Sequence, residues 1–247
     1  MNCELNMRSF ERPIAATVGS YDGVHLGHRV LLEKTRAEAE RIGGESLVIT
    51  FEPHPRLALD PECGMKLLSP GEEKRRLLDQ AGIDHLLIIP FDRAFSRMTP
   101  SDFLHLLVEQ IGVRSLVVGY DHRFGCDKSG SHALLERLKG ELGLDVTEVA
   151  EREVESEHVS STVVRRLIEQ GEMAHAARLL GHPYLLHGEV KATGEVTPCD
   201  SHKLLPAEGE YRVRIEEQEA TLHIQEGELQ LTDCKIVAGV YFIEFIK

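Results

Sequence analysis

Short apolar runs alternate with longer amphipathic segments from the start of the chain to about residue 150. Five short runs bounded by Gly, Pro or Asp have strand length, which predicts strands that are buried on both faces. They are Ile14–Val18, Ser46–Phe51, His85–Pro90, Ser115–Gly119 and Val146–Val149. Helical spacing between them predicts helices over Leu26–Ile42, from Ser69-Pro70 with Ser69 as N-cap, from Thr99-Pro100, and over about Ser131–Leu142.

This alternation predicts an α/β, Rossmann-like domain in which helices cover both faces of a parallel sheet. Ligands of such sheets bind beyond the carboxyl ends of the strands. The loops that follow the predicted strands are therefore the places where chemistry is expected.

The pattern changes towards the end of the chain. Two helices are predicted between Ser160 and Leu180, with a break at Gly171. After Pro183, apolar and polar residues alternate in a β-type pattern, over Glu210–Glu216, Ala220–Ile224 and Val237–Ile246. We therefore predict a first domain over residues 1–183 and a small antiparallel β domain over residues 184–247.

Composition limits the classes of partner. The chain of 247 residues has 42% hydrophobic and 28% charged residues, as in globular proteins, and a net charge of -13. An acidic surface argues against nucleic-acid and anionic-membrane partners. The five cysteines are scattered, without a Cys-x-x-Cys pair, and no apolar run is long enough for a signal or membrane segment. We expect a cytoplasmic protein, whose oligomeric state the sequence leaves open.

The strongest motif is Gly19-Ser20-Tyr21-Asp22-Gly23-Val24-His25-Leu26-Gly27-His28, between the first strand and the first helix. Glycines permit close approach of a ligand, and free N–H groups at a helix start attract an anion. His25 and His28 are three residues apart, so both project from one face of the first turn. Two other interpretations are a helix N-terminus with incidental histidines and a metal pair. The metal interpretation lacks a third ligand, and we predict no metal site in the protein.

Two further loops follow predicted strands. In Phe51-Glu52-Pro53-His54-Pro55, two prolines fix the backbone, so the loop either walls a flat aromatic ligand or simply ends a strand. The loop from Gly119 to Gly130 offers Asp121 as an acceptor for a ribose hydroxyl or an amine, and Phe124 as a stacking surface.

The fourth segment, Val159 to Arg165, places Ser160, Ser161 and Thr162 at a helix start. One hydroxyl is explained as an N-cap. Three adjacent hydroxyls followed by Arg165 indicate a clamp for a polyphosphate.

In this order, the four segments resemble the FMN adenylyltransferase module of the bacterial bifunctional riboflavin kinase/FAD synthetases, which belong to the His-x-Gly-His nucleotidyltransferases. The resemblance covers roughly residues 12 to 183. It implies transfer of AMP from ATP to FMN, with Mg2+, to give FAD and pyrophosphate. ATP and FMN are then the small-molecule partners.

The resemblance also implies roles for individual residues. His25, His28 and Arg165 are the implied catalytic groups. The implied ATP-binding residues are Gly19, Tyr21, Asp22, His25, Gly27, His28, Asp121, Ser161, Thr162 and Arg165, and the implied flavin-binding residues are Pro53, His54, Pro55 and Phe124. The chain departs from the family pattern at Tyr21 and His122, where Phe is common.

The C-terminal part departs further. Leu186 to Val190 and Leu205 to Tyr211 resemble parts of the kinase β-barrel, but the Phe-Pro-Thr-Ala-Asn segment is missing between them. We therefore expect a degenerate kinase-like domain without riboflavin kinase activity. Three alternatives stay open: a nucleotidyltransferase for another phosphorylated acceptor, a non-catalytic flavin- or nucleotide-binding paralogue, and an α/β domain of another role.

Overall fold

A computed structural model describes residues 2–3, 10–119, 132–150, 153–154 and 157–246. The chain forms two compact units, each assembled from several segments. The first comprises residues 1–21, 28–65 and 78–151, and the second comprises residues 22–27, 66–77 and 152–247. The domain boundary at residue 183 stays a prediction.

The first unit is built on a parallel sheet with strand order β1-β4-β3-β2-β5-β6. Its strands are β1 (Asn2–Cys3), β2 (Ile14–Val18), β3 (Glu45–Glu52), β4 (His85–Pro90), β5 (Val113–Gly119) and β6 (Asp145–Val149). All five pairings between these strands within the described residues are parallel, which confirms the predicted Rossmann-like fold. All carboxyl ends therefore lie at one edge, where the predicted loops begin.

Helices connect these strands along the chain. They are α1 (Leu26–Arg41), α2 (Pro55–Leu59), α3 (Glu72–Gln80), α4 (Pro100–His105), which continues as a π-helical turn over Leu106–Ile111, and α5 (His132–Leu142). Two short 3-10 turns lie at Pro61–Cys63 and Phe95–Arg97. The apolar core joins sheet residues such as Leu47 and Val113 to helix residues such as Leu107 and Leu138.

Two helix starts were predicted at a hydroxyl residue followed by Pro, and they have different outcomes. The helix predicted from Thr99-Pro100 begins at Pro100, and Thr99 is its N-cap, because its hydroxyl accepts the Asp102 N–H at 3.1 Å. The prediction that Ser69 caps the third helix is wrong: α3 begins at Glu72, and the Ser69 hydroxyl accepts the Gly23 N–H at 2.7 Å. A hydroxyl accepts from whichever donor tertiary structure brings near, and sequence periodicity does not reveal a donor 46 residues away.

The second unit contains a closed barrel with strand order β10-β13-β12-β11-β14-β9. Its elements are the short hairpin β7 (Glu153–Val154) and β8 (Glu157–His158), the helices α6 (Ser161–Glu169) and α7 (Met173–Leu180), and the barrel strands β9 (Tyr184–Val190), β10 (Glu195–Pro198), β11 (Gly209–Ile215), β12 (Gln218–Gln225), β13 (Glu228–Thr232) and β14 (Gly239–Phe245). All barrel pairings are antiparallel, which confirms the predicted antiparallel β domain.

The barrel and the two helices share one apolar core. Alternate residues of β11 point inward, among them Val213 and Ile215, and they pack with Leu222 and Ile243. Leu68, from the short segment 66–77, belongs to the same core. Within the described residues, no helix is both long enough and apolar enough to cross a bilayer.

Candidate functional site

The first loop leaves strand β2 at the carboxyl edge of the sheet. The Gly19 N–H donates to the Ile49 carbonyl at 3.0 Å, and the Thr50 hydroxyl donates to the Ser20 carbonyl at 3.2 Å. The backbone of the predicted phosphate loop is thus held by strand β3 before it reaches the helix. This arrangement fixes where the loop starts.

Tyr21 supports His28 within the first unit. The Tyr21 side chain is 1% exposed, and its hydroxyl lies 2.7 Å from the Thr17 hydroxyl. Its ring lies against the imidazole of His28, with centroids 5.0 Å apart. Burial raises the pKa of the Tyr21 hydroxyl well above its ordinary value. The side chain is therefore a neutral packing surface that orients His28 in the first turn of α1.

Asp22 is the most enclosed charged group of the loop. It is 1% exposed, and its carboxylate accepts the backbone N–H groups of Ser69 at 3.0 Å and Leu68 at 3.1 Å. The guanidinium of Arg165 donates to the same carboxylate at 2.6 Å. Burial of a carboxylate is costly without such partners, and these three donors satisfy the carboxylate of Asp22 in the interior.

Arg165 is held at two points. Its Nε donates to the Lys66 carbonyl at 3.1 Å, while Nη2 donates to Asp22. The side chain retains 18% exposure. Because the guanidinium is planar and rigid, two fixed nitrogens also fix the direction of Nη1, from which it can donate to an incoming anion.

The three hydroxyls at the start of α6 have three different environments. Ser160 is the N-cap, since its hydroxyl accepts the Val163 N–H at 3.3 Å. The Ser161 hydroxyl donates to the Asp22 carbonyl at 2.8 Å, and Thr162 is exposed. The structure therefore brings Asp22, Ser161 and Arg165 together in the second unit, although the sequence separates them widely.

Two glycines of the first loop have close neighbours on the side where a Cβ would lie. Gly23 has a φ of +85°, and a Cβ there would lie 2.8 Å from Leu68. A Cβ on Gly27 would lie 3.2 Å from the imidazole of His25, which is itself buried. His25 thus packs against the backbone of the first turn of α1, and a side chain at Gly27 would require its ring to shift by a few tenths of an ångström.

The Pro53-His54-Pro55 loop opens a short helix at the end of β3. Pro55 is the first residue of α2, and His54 caps it by accepting the Arg56 N–H at 3.2 Å. Beside this loop, partly exposed rings of Phe51, Phe91 and Phe95 contact one another with centroids 5.4 to 5.7 Å apart. This aromatic group was not predicted, because Phe51 lies about 40 residues from the other two rings in the chain.

Two predicted site residues, Asp121 and Phe124, lie outside the described residues, as does His122. No motif in the sequence points to the segment Lys66 to Ser69, whose backbone binds both Asp22 and Arg165. Every residue has the same backbone groups, so the sequence does not show where such contacts form. Only the apolar pair Leu67-Leu68, which is buried, indicates that this segment packs in the interior. Among the described residues, no group of three His, Cys, Asp or Glu side chains is arranged to hold a metal ion.

Comparison with known proteins identifies the family. Residues 7–163, more than half of the chain, match the family model described as FAD synthetase. The chain belongs to the FAD synthetase family. The matched region contains the first loop and the start of α6. In this FAD synthetase family member, both partners of the hydrogen bond between Ser161 and Asp22 therefore lie within the matched residues.

Individual relatives agree with this assignment. The Escherichia coli K12 bifunctional riboflavin kinase/FMN adenylyltransferase is 36% identical over 175 residues, which cover 70% of this chain and 56% of the relative. The chain thus spans about half the length of that relative. An FAD synthetase from Listeria monocytogenes is 33% identical over 202 residues, 81% of each chain.

A solved structure of a Streptococcus pneumoniae protein described as a macrolide-efflux protein has the same fold. Its TM-score is 0.84, with 24% sequence identity over 99% of this chain and 89% of that one. At this identity the match speaks for the architecture alone.

Proposed function

We propose that this FAD synthetase family member is an FMN adenylyltransferase, which transfers AMP from MgATP to FMN and releases FAD and pyrophosphate. The observation that carries the proposal is the Asp22–Arg165 ion pair of 2.6 Å, which joins the Gly19–His28 loop to the start of α6. The ion pair fixes the guanidinium of Arg165 in the first turns of α6. Backbone N–H groups at a helix start also favour an anion, so this place suits a leaving polyphosphate.

The reaction needs no covalent enzyme intermediate. A phosphate oxygen of FMN attacks the α-phosphorus of ATP in line, the new P–O bond forms, and pyrophosphate leaves with the electron pair of the broken bond. FMN phosphate is already ionised, so its activation requires no strong base. The contribution of the protein is to position two anions and to stabilise the charge that develops between them.

Each site residue has a proposed part in this scheme. His25 and His28 donate hydrogen bonds to the α- and β-phosphates, and Arg165 neutralises the pyrophosphate. Gly19 and Gly27 allow the loop to approach ATP, Ser161 and Thr162 serve the phosphates, and Asp121 contacts the nucleotide. Asp22 and Tyr21 act mainly as supports, because the contacts described above engage both side chains inside the protein. Magnesium enters with ATP as the MgATP substrate.

The flavin is proposed to bind beside the loop after β3. Pro53, His54, Pro55 and Phe124 are the proposed wall of its pocket. The partly exposed rings of Phe51, Phe91 and Phe95 extend the apolar surface near that loop. Their mutual contacts are edge-to-face and tilted, and aromatic rings also bind flat aromatic ligands in such arrangements.

We further propose that the barrel has no riboflavin kinase activity, that residues 1–183 form the transferase domain, and that the protein acts in the cytoplasm without a nucleic-acid partner. An acceptor screen tests the substrate: FMN, phosphopantetheine, nicotinate mononucleotide and glycerol phosphate are each incubated with MgATP or MgCTP. Pyrophosphate release only in the reaction that contains FMN and MgATP supports the proposal. Release with another acceptor favours a different nucleotidyltransferase, and FMN binding without any release favours a non-catalytic paralogue.

A further inference from the structure

A buried ion pair connects the barrel to the segment that holds Asp22. Lys203 lies in the loop between β10 and β11, and its ammonium is 2.6 Å from the carboxylate of Glu73 at the start of α3. Both side chains are 1% exposed. The second oxygen of Glu73 accepts the His187 N–H of strand β9 at 2.7 Å. The ammonium also lies 4.0 Å from the centroid of the Tyr184 ring.

Lys203 also binds the backbone of the Asp22 cradle. Its ammonium donates to the Leu68 carbonyl at 2.6 Å, while the N–H of Leu68 donates to Asp22. Leu68 is therefore held at both of its backbone groups. Its carbonyl accepts from Lys203 of the barrel, and its N–H donates to Asp22 of the phosphate loop. Displacement of the Leu68 peptide would move a donor of Asp22.

Main-chain pairing strengthens this connection. The Leu67 N–H donates to the His202 carbonyl at 2.7 Å, and the Leu204 N–H donates to the Leu67 carbonyl at 2.9 Å. Leu67 and Lys203 form a parallel β-bridge. On the other side of the same segment, the Lys66 carbonyl accepts from Arg165. Residues 66–69 are thus a strip between the barrel and the Asp22–Arg165 pair.

We infer that Lys203 is a positioning residue for adenylyl transfer, which acts through Leu68 and Asp22 on the orientation of Arg165. The barrel then serves this reaction as a rigid support rather than as a second catalytic centre. This inference rests on the proposed function for its relevance to catalysis. Its physical content, that the barrel sets the affinity for MgATP, is testable by binding alone.

The test compares two double variants that each remove one ion pair without leaving a lone charge. Glu73→Gln/Lys203→Met removes the buried pair. Lys191→Met/Glu195→Gln removes an exposed pair of 2.7 Å on the same barrel and is the matched control. We expect the first variant to bind MgATP about 10-fold more weakly by calorimetry, because supporting contacts of a ligand site have effects of this order. The control is expected to bind as the wild type does.

A double-mutant cycle separates positioning from general stability. Lys203 is proposed to act through Asp22. In an Asp22→Asn background, Glu73→Gln/Lys203→Met is therefore expected to cause little additional loss of affinity for MgATP. Lys203→Arg retains the charge beside Glu73 and serves as a second variant should the double variant not fold; it is expected to show a smaller loss than Glu73→Gln/Lys203→Met. The NMR signal of the Arg165 Nε–H is expected to shift in either variant.

Two results would overturn the inference. One is equal MgATP affinity in the wild type and in the variants at Lys203, and the other is a loss of the same size with and without Asp22→Asn. Failure of the proposed function is distinguishable from both: a wild type that binds MgATP but makes no FAD removes only the proposed activity. A wild type that does not bind MgATP contradicts both proposals.

Discussion

The guanidinium of Arg165 and the carboxylate of Asp22 lie 2.6 Å apart, although 143 residues separate them in the chain. Both side chains are largely buried, with 18% and 2% exposure. A buried pair of this kind gives directional rigidity more than stability, because desolvation offsets much of its attraction. The direction of Arg165 is therefore the property that substitutions should reveal.

Replacement of Arg165 by Lys retains the charge but removes the fork that binds Asp22 and the Lys66 carbonyl together. We expect a loss of about 10²–10³ in turnover with FMN and MgATP, as when one fixed donor to a developing anion is lost. The neighbouring, exposed Arg166 provides the control, and Arg166→Lys is expected to retain full activity. Equal activity of the two variants would remove the special role of Arg165.

The Tyr21 hydroxyl is predicted to matter for stability through Thr17. Tyr21→Phe leaves the buried Thr17 hydroxyl without this partner, which should lower the free energy of unfolding by about 1–3 kcal/mol. Tyr21→Phe/Thr17→Val replaces both groups by apolar ones and should restore most of that loss. Urea denaturation measures both values. A double variant as unstable as the single one would contradict this account.

The buried Glu73–Lys203 pair predicts a pH-dependent stability. Burial raises the pKa of Glu73 to about 7 from its ordinary value of 4.5, against the opposing attraction of Lys203. Between these two values the folded protein holds a proton that the unfolded chain has lost. The free energy of unfolding should therefore fall as pH rises through this window, by up to about 1.4 kcal/mol per pH unit. Nearby Asp22 adds to the rise in this pKa.

Chemical denaturation at pH 5, 6 and 7 measures this slope. Glu73→Gln/Lys203→Met has no titrating pair at this position, so its stability should lack the slope. Burial also lowers the pKa of Lys203 below its ordinary value of 10.5. Between the lowered pKa and 10.5 the free energy of unfolding rises with pH, so the contribution of Lys203 has the opposite sign to that of Glu73. Parallel curves for the wild type and the double variant would show that Glu73 does not carry the dependence.

The barrel is predicted to lack kinase activity. Incubation of the protein with riboflavin, ATP and magnesium is expected to give no FMN, because the Phe-Pro-Thr-Ala-Asn segment is missing between Leu186 and Tyr211. FMN supplied in a parallel reaction serves as the positive control for adenylyl transfer. Chromatographic detection of FMN formed from riboflavin would refute the prediction.

The sequence was sufficient for features that depend on local pattern. Strand runs such as Ile14–Val18 and His85–Pro90 agree with the observed bounds, since buried parallel strands are continuous apolar runs between turn residues. The helix start at Thr99-Pro100 and one N-cap among the three hydroxyls before Arg165 were also predictable, because a cap hydroxyl binds its own helix. The roles of individual site residues remain predictions from the family resemblance.

Features that depend on distant partners were not predictable. The sequence predicts Ser69 as a helix cap, but in the folded chain its hydroxyl accepts the Gly23 N–H instead. Strands β10 and β13 are short and were missed, so barrel closure was not foreseen. No sequence motif marks Lys203, and only the fold places its ammonium against Glu73 and Leu68.

Adenylyl transfer to FMN is proposed to take place at the Gly19–His28 loop. Simultaneous detection of FAD and pyrophosphate formed from FMN and MgATP, by the wild type and by His28→Ala, tests this proposal. We expect equal amounts of both products from the wild type, and a turnover about 10²–10³ lower in the variant because one donor to the developing charge is lost. Neither product from the wild type, or undiminished FAD synthesis by His28→Ala, would contradict it.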